Sequence, residues 1–173
     1  MKEMKEIRPT DLKVEAAGLW LKRWFLLSAG TIDDFNVMTV GWGFLGGIWG
    51  KSFAQVMVRP SRHTFKYMEK YDTFTLSSFP GDYRDALMLL GTHSGRDGDK
   101  VADSGLTPVS SVIVEAPSFE EADLVLECRK VYWQDLDPAH FLDESIERHY
   151  AGKDYHRVYF GEILRAAISD SGV

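Results

Sequence analysis

The chain alternates short apolar runs with turn residues, and this pattern predicts β-strands in two blocks. The runs are rich in aromatic, Val, Ile and Thr residues and are bounded by Gly, Asp or Pro, which is typical of strands. The first block reads WLKRWFLLSAG, FNVMTVGWG, SFAQVMVRP and DTFTLSSF. The second reads SSVIVEAPSF, DLVLECRKVYWQDL and HRVYFGEILRAAI. Because no repeat or linker separates these runs, we expect them to close into one β-barrel.

Three stretches instead have helical spacing or helix-starting residues. The first begins with Ser61 as its N-cap and places Phe65 and Met68 on one face. The second, DYRDALMLLG, ends at Gly91, a residue suited to the position after a helix. The third, PAHFLDESIERHY, has Pro138 near its first turn. The predicted fold class is therefore mainly β, a β-barrel with peripheral helices.

A glycine-rich segment, TVGWGFLGGIWGK, spans residues 39–51 and contains Gly41, Gly43 and Gly46 in the order G-x-G-x-x-G. In a dinucleotide-binding turn this motif is followed at once by a helix. Here more glycines and a β-rich run follow, and each glycine costs about 1 kcal/mol against alanine inside a helix. The dinucleotide-binding interpretation is therefore rejected, and we expect a glycine-rich turn between two apolar strands.

Composition narrows the functional classes. The 173 residues suit one domain, and we expect a single domain over residues 1–173. The contents of 45% hydrophobic and 27% charged residues indicate neither disorder nor a membrane protein. The formal net charge of −6 argues against binding to a nucleic-acid backbone, which requires basic contacts. The charged N-terminus lacks the apolar segment of a signal peptide, so we expect a cytoplasmic protein without a membrane partner.

Two polar segments are candidate anion sites. The loop GTHSGRDGDK, residues 91–100, combines glycines with hydroxyl and cationic side chains, as phosphate-binding loops do. The segment VRPSRHT places Arg59, Arg62 and Thr64 where a helix begins, and free N–H groups there favour an anion. A solvated connection and ordinary surface arginines are the structural alternatives. The acidic residues of the loop lack the further oxygen ligands of a calcium site, and no metal site is expected.

The segments FNVMTVGWG, VRPSRHTFKYMEKYDTFTLSSF and GTHSGRDGDKV, in this order, resemble the flavin reductase-like proteins, including flavoredoxin. The resemblance runs from about Trp20 to Ile168 and implies an FMN-binding split barrel. It implies that FMN contacts three groups of residues. The ring would lie along Asn36, Met38, Thr39, Val40, Gly41 and Trp42, with Trp49 as further apolar cover. Ser77, Ser78 and Phe79 would flank the ring or ribityl chain, and Ser94 and Gly95 would shape the loop. The phosphate would be held by Arg59, Arg62, Thr64, Lys51 and Lys100.

The resemblance also implies a function. It predicts an FMN-binding oxidoreductase that takes electrons from NADH or NADPH and passes them to free flavin or a protein acceptor. Because the flavin supplies the redox chemistry, no side chain is assigned a catalytic role. The family resemblance further implies a homodimer with the flavin at the subunit interface. Two alternatives remain open: a flavoredoxin-type electron carrier without nicotinamide activity, and a non-catalytic split-barrel protein that binds another ligand.

Overall fold

The structure of the protein is a computed structural model, which describes residues 3–169. The predicted domain of residues 1–173 extends past this range, and residues 1–2 and 170–173 lie outside it. Strands in the described range are β1 (Met4–Ile7), β2 (Phe25–Thr31), β3 (Asp34–Val40), β4 (Gly43–Ile48), β5 (Lys51–Val58), β6 (Thr73–Ser78), β7 (Pro108–Val109), β8 (Ser118–Phe119), β9 (Leu124–Asp135) and β10 (Arg157–Ser169). Helices are α1 (Ala16–Gly18), α2 (His63–Lys70), α3 (Arg84–Thr92) and α4 (Lys100–Ser104). The predicted class, mainly β with peripheral helices, is confirmed.

One eight-stranded antiparallel sheet organises the molecule. Its order is β3-β2-β6-β9-β10-β5-β4, and β1 pairs with the distal part of β10. The two outer strands of this order, β3 and β4, follow each other in the chain and are joined only by Gly41 and Trp42. Because β3 and β4 do not pair, the sheet opens between them. This opening is where the candidate site lies.

The core lies on the inner faces of the strands. One buried cluster includes Leu27, Phe74 and Tyr159, and a second lies between the sheet and α3 and includes Leu26 and Leu87. The single cysteine of the chain, Cys128 on β9, is fully buried, and burial raises the pKa of its thiol. Within residues 3–169 no helix is long and apolar enough to cross a membrane.

Helix ends differ from the prediction at two positions. The α2 helix begins after Arg62, and the hydroxyl of Ser61 donates to a carboxylate oxygen of Asp154 at 2.8 Å. Ser61 as N-cap was therefore wrong, because its hydroxyl is used by a distant loop. Gly91 lies inside α3, which continues to Thr92. A Cβ at Gly91 would come within 3.1 Å of the Cβ of Thr39, so the glycine allows α3 to approach β3 closely.

The predicted third helix is two short 3₁₀ segments, Pro138–His140 and Glu144–His149. Each is started by its own aspartate, because Asp137 accepts a hydrogen bond from the backbone of Ala139 and Asp143 from that of Ser145. Two separate caps six residues apart divide the segment into two turns.

The predicted strand SSVIVEAPSF is mostly irregular, and only Ser118–Phe119 at its end forms a strand. The backbone N–H groups of Val112, Ile113 and Val114 donate to the buried carboxylate of Glu127 at 2.7–3.2 Å. These N–H groups would otherwise pair with a neighbouring strand, so the Glu127 carboxylate replaces the backbone hydrogen bonds of a β-sheet. Glu127 in turn forms an ion pair with Arg165 at 2.8 Å.

The glycine-rich segment is a strand rather than a turn. Gly43–Ile48 form β4, and the reversal of the chain takes place at Trp49 and Gly50, both with positive φ. The absence of a helix after G-x-G-x-x-G confirms that the dinucleotide-binding interpretation had to be rejected. The first predicted strand is also shorter, because Leu19–Arg23 form a helical turn and Trp24 has a φ of 68°.

Candidate functional site

Three adjoining cavities follow the opening between β3 and β4. The cationic pocket, about 110 Å³, lies between β3, the start of α2 and the loop after α3, and Asn36, Arg62, His63 and Lys100 are among its lining residues. The middle pocket, about 200 Å³, lies against residues 38–42. The apolar groove, about 440 Å³, lies beyond Trp42. Neighbouring cavities share lining residues, so together they form one cleft.

A hydrogen-bonded bridge builds the floor of the cationic pocket. The side-chain amide of Asn36 on β3 donates to the hydroxyl oxygen of Thr64 on α2 at 2.7 Å, and the Thr64 hydroxyl donates to the carbonyl of Val37 at 3.3 Å. Both side chains are buried. A Cβ on Gly95 would overlap the Asn36 side chain, so the loop carrying Ser94 and Gly95 lies directly on this bridge. The loop after α3 is thereby held against the start of α2.

Lys100 is the buried cation of this pocket. Its ammonium group donates to the carbonyl oxygens of Leu90 at 2.9 Å and His93 at 3.0 Å, which end α3. Burial, together with the nearby Arg62, lowers the pKa of Lys100 to about 8. Lys100 therefore fixes the end of α3, and within residues 3–169 its positive charge has no carboxylate partner.

Arg62 and His63 leave further donors without protein partners. Within residues 3–169 the Arg62 guanidinium forms no hydrogen bond or ion pair, and the buried Nδ1 atom of His63 has no hydrogen-bond partner. Burial and the charges of Arg96, Lys66 and Lys100 lower the pKa of His63. The first turn of α2 also has no side-chain cap. An unpaired guanidinium, an orphaned ring nitrogen and a helix start without a side-chain cap together fit an anion.

The middle pocket is formed by the end of β3 and the residues that follow it. Met38, Thr39, Val40, Gly41 and Trp42 all line it. The hydroxyl of Thr39 donates to the carbonyl of Leu87 at 2.5 Å, which ties β3 to α3. The ring of Trp42, 40% exposed, lies 5.2 Å from that of His156 between ring centroids. The pocket therefore has an apolar wall and a free strand edge.

Arg59 lies at the middle pocket rather than at the cationic pocket. Its guanidinium forms an ion pair with Asp154 at 2.9 Å, donates to the carbonyl of His149 at 2.7 Å and lies over the ring of Tyr150. The hydroxyl of Ser61 and the charge of Arg59 lower the pKa of Asp154. Arg59 therefore holds the loop 149–154 against the sheet, and its charge is already paired.

The apolar groove explains two of the glycines. A Cβ on Gly43 would overlap the indole ring of Trp20 and the carbonyl of Gln55, and one on Gly41 would come within 3.1 Å of the Trp24 ring. These glycines allow two tryptophans to pack on the backbone of the opening. A Cβ on Gly46 would meet no atom within 4 Å, so packing within the chain does not require that glycine.

Five predicted site residues lie away from the cleft. Trp49 and Lys51 are at the far turn of the β4–β5 hairpin, where Trp49 packs on Phe53 and Lys51 forms an ion pair with Glu162 at 2.8 Å. At about 3.3 Å per residue, β5 separates Lys51 from Arg59 by roughly 25 Å. Buried residues at the end of β6 and just after it belong to the interior of the sheet and do not line the cleft: Ser77, Ser78 and Phe79.

The other twelve predicted residues are brought together in the cleft: Asn36, Met38, Thr39, Val40, Gly41, Trp42, Arg59, Arg62, Thr64, Ser94, Gly95 and Lys100. Sequence reasoning missed His156, which is 8% exposed and lines the middle pocket. His156 reaches the pocket only because β10 pairs with β5, and no local signal in the sequence indicates this.

Comparison with known proteins gives consistent results. A family model described as a flavin reductase like domain matches residues 24–172. An uncharacterised protein of Pyrococcus abyssi is 31% identical over 110 residues, which cover 64% of this chain but only 62% of that relative's length.

Two solved structures are similar over almost the whole chain. The FMN-binding domain of a flavin reductases-like enzyme from Shewanella baltica matches with a TM-score of 0.71 and 15% identity, over 97% of this chain and 78% of the other. Flavoredoxin of Desulfovibrio vulgaris matches with a TM-score of 0.68 and 21% identity, over 93% and 78%. At these identities the likeness shows the fold, and it confirms the predicted split barrel.

Proposed function

This chain belongs to the flavin reductase-like family, and from that premise we propose that it is a cytoplasmic FMN-binding oxidoreductase. The observation that carries the proposal is the continuous cleft. One end offers unpaired cations to an anion, and the other offers a strand edge and apolar walls to a flat ring. FMN combines a terminal phosphate with a flat ring, and the cleft offers an environment for each of them side by side.

The cationic pocket would hold the phosphate. Arg62 is the principal partner, because its guanidinium is unpaired within the described residues and sits at the uncapped start of α2. Lys100 would contribute its positive charge, and the orphaned His63 Nδ1 would gain a partner. Ser94 and Gly95 would close the pocket from the loop. An anion there compensates charges that the protein itself leaves uncompensated.

The residues between Met38 and Trp42 would hold the ring. When bound, FMN supplies hydride and electron transfer, and the chain supplies orientation and an apolar surface. Trp42 and Met57 would limit the access of water to the ring, since both line the middle pocket and the groove beyond it. No side chain is assigned proton transfer.

The electron donor in this proposal is NADH or NADPH, and the acceptor is free flavin or a protein. One observation favours an alternative, a flavoredoxin-type carrier without nicotinamide activity. The apolar groove beside the ring pocket is lined by Ala16, Ala17, Trp20, Leu21, Gly41, Trp42, Gly43, Phe44, Leu45 and Met57. None of these is charged, so the groove itself offers no cation to the pyrophosphate of a nicotinamide dinucleotide.

We also propose a homodimer with the flavin at the subunit interface. Phe44 on the free edge strand β4 and Trp49 at its end are 59% and 61% exposed, and residues 41–50 contain no charged side chain. Uncharged edge strands of this kind are normally covered, because they otherwise aggregate. Light scattering at micromolar concentration with FMN bound should give twice the mass of the chain, and a monomer would contradict this part of the proposal.

One experiment tests the function directly. The purified protein should bind added FMN and oxidise NADH or NADPH in the presence of excess FMN. Tight FMN binding without nicotinamide oxidation would indicate the carrier. A colourless protein that takes up no FMN would overturn the flavin proposal and leave a non-catalytic protein that binds another ligand.

A further inference from the structure

The wall of the middle pocket contains a buried pair, His156 and Tyr150, that the function proposed above does not use. The hydroxyl of Tyr150 and the Nδ1 atom of His156 are 2.8 Å apart, and the two residues are 2% and 8% exposed. The backbone carbonyl of His156 accepts a hydrogen bond from Leu136 at 2.9 Å. His156 is therefore held in place both by its backbone and by its imidazole ring.

The hydrogen-bond arrangement fixes which ring nitrogen carries the proton. Within residues 3–169 the Tyr150 hydroxyl has only the Nδ1 atom of His156 as a hydrogen-bond partner. If Nδ1 carried the proton, the buried hydroxyl proton of Tyr150 would have no acceptor, and buried donors are normally paired. The hydroxyl must donate to Nδ1, which places the imidazole proton on Nε2. His156 lines the middle pocket, and Nε2 has no partner within the described residues.

The surroundings of His156 keep the imidazole neutral. Burial and the charges of Arg59 and Arg62 lower its pKa to about 4, although Asp154 acts in the opposite direction. Burial also raises the pKa of Tyr150. At neutral pH the pair therefore consists of an uncharged phenol and an uncharged imidazole with a single free N–H group. An uncharged donor suits the carbonyl and nitrogen edge of a flat heterocycle better than it suits an anion.

We propose that the Nε2–H group of His156 donates a hydrogen bond to the polar edge of the flavin ring in the middle pocket, with Tyr150 as the positioning residue that fixes the imidazole tautomer. This inference rests on the proposed FMN site. It adds an uncharged side-chain donor to the ring end, where Met38 and Val40 offer apolar side chains and the Thr39 hydroxyl already donates to the carbonyl of Leu87.

The proposal has a redox consequence. A fixed N–H donor stabilises an acceptor more strongly when the acceptor gains electron density. Removing the donor should therefore lower the midpoint potential of the bound flavin as well as its affinity. A role of His156 in packing alone would change stability but would not shift the potential in a fixed direction.

The variants are His156→Leu, which removes the donor, His156→Gln, which restores an N–H near the same place, and Tyr150→Phe, which frees the tautomer. His149→Gln is the matched control, because His149 is exposed and its ring also lies 5.3 Å from that of Trp42. We expect His156→Leu to weaken FMN and riboflavin equally, by about tenfold, the usual effect of a buried hydrogen bond. His156→Gln should recover most of the affinity and the potential, Tyr150→Phe should show a smaller loss, and the control should show none.

A second measurement needs no ligand. Nitrogen-15 NMR of the ligand-free protein at pH 7 should show His156 as the neutral Nε2–H tautomer, and Tyr150→Phe should convert it to a mixture. An Nδ1–H tautomer in the wild type would overturn the inference. Equal potentials and affinities for wild type and His156→Leu would also overturn it, provided that FMN binds. Failure of the wild type to bind FMN would instead overturn the proposed function.

Discussion

The cationic pocket and the middle pocket use the same residue types in opposite ways. At the cationic pocket Arg62 is unpaired within the described residues and Lys100 carries a charge that no carboxylate balances. At the middle pocket, three residues earlier in the chain, Arg59 is paired with Asp154, and His156 is neutral. The difference shows that the partners of a cation, and not its presence in a motif, decide whether it is available to a ligand.

The apolar end of the cleft should be the most sensitive to change. In Gly43→Ala the new Cβ would overlap the Trp20 ring and a backbone carbonyl, so we expect the free energy of unfolding to fall by about 3 kcal/mol. Gly46→Ala, in the same strand, is the control, and it should change stability by less than about 0.5 kcal/mol because its Cβ meets no atom. Urea unfolding of both variants measures the difference. Equal losses of stability would mean that the requirement for glycine at position 43 comes from strand propensity and not from the packing of Trp20.

Arg62→Ala tests the opposite end. It should weaken FMN binding by about 2 kcal/mol, the value of a charge-assisted hydrogen bond, and leave riboflavin binding nearly unchanged because riboflavin has no phosphate. Lys66→Ala is the matched control, since Lys66 is exposed on the same helix. Fluorescence titration of both flavins gives the affinities. Equal losses for FMN and riboflavin would place the damage in the fold or ring pocket instead.

Arg59→Ala should distinguish the role of Arg59 from that of Arg62. It removes the ion pair with Asp154 and the hydrogen bond to the His149 carbonyl, so the loop 149–154 should loosen. We expect a loss of about 1.5 kcal/mol in the free energy of unfolding, with FMN and riboflavin weakened to the same extent. A loss specific to FMN would show that Arg59 turns toward the phosphate when ligand binds.

The smallest expected effect is a pH dependence at Lys100. Its pKa in the folded protein is about 8, below the ordinary 10.5, so the free protein loses this charge as the pH rises through 8. A bound phosphate favours the charged form, and FMN affinity should therefore fall about fivefold, close to 1 kcal/mol, between pH 7 and 9. Riboflavin affinity should stay constant over this range. The same pKa means that unfolding free energy should rise with pH between about 8 and 10.5, because the unfolded chain then binds more protons.

The sequence predicted the strands and the cleft well where local pattern and chain order decide them. The run FNVMTVGWG forms β3 and the edge of the middle pocket, and α2 places Arg62 and Thr64 beside the loop that carries Lys100. The prediction failed where a distant partner decides the local structure. The carboxylate of Glu127 accepts hydrogen bonds from the N–H groups of a predicted strand, and that of Asp154 accepts one from the hydroxyl of Ser61.

The site predictions divide along the same line. Trp49 and Lys51 belong to the same glycine-rich segment as Trp42, but the straight β4–β5 hairpin carries them to its far turn. His156 is distant in sequence from every predicted site residue, and only the pairing of β10 with β5 brings it to the cleft. Spacing along the chain does not reveal such a placement, because it depends on strand register.

The burial of Cys128 has a practical consequence for labelling. Its thiol is inaccessible and has a raised pKa, so maleimide reagents should leave the wild-type chain unmodified. A cysteine introduced at Gly46, where the new side chain meets no atom, would then be the single reactive thiol without any prior removal of Cys128. A fluorophore at that position would lie on the free edge of β4, and its emission would report whether a second subunit covers this edge.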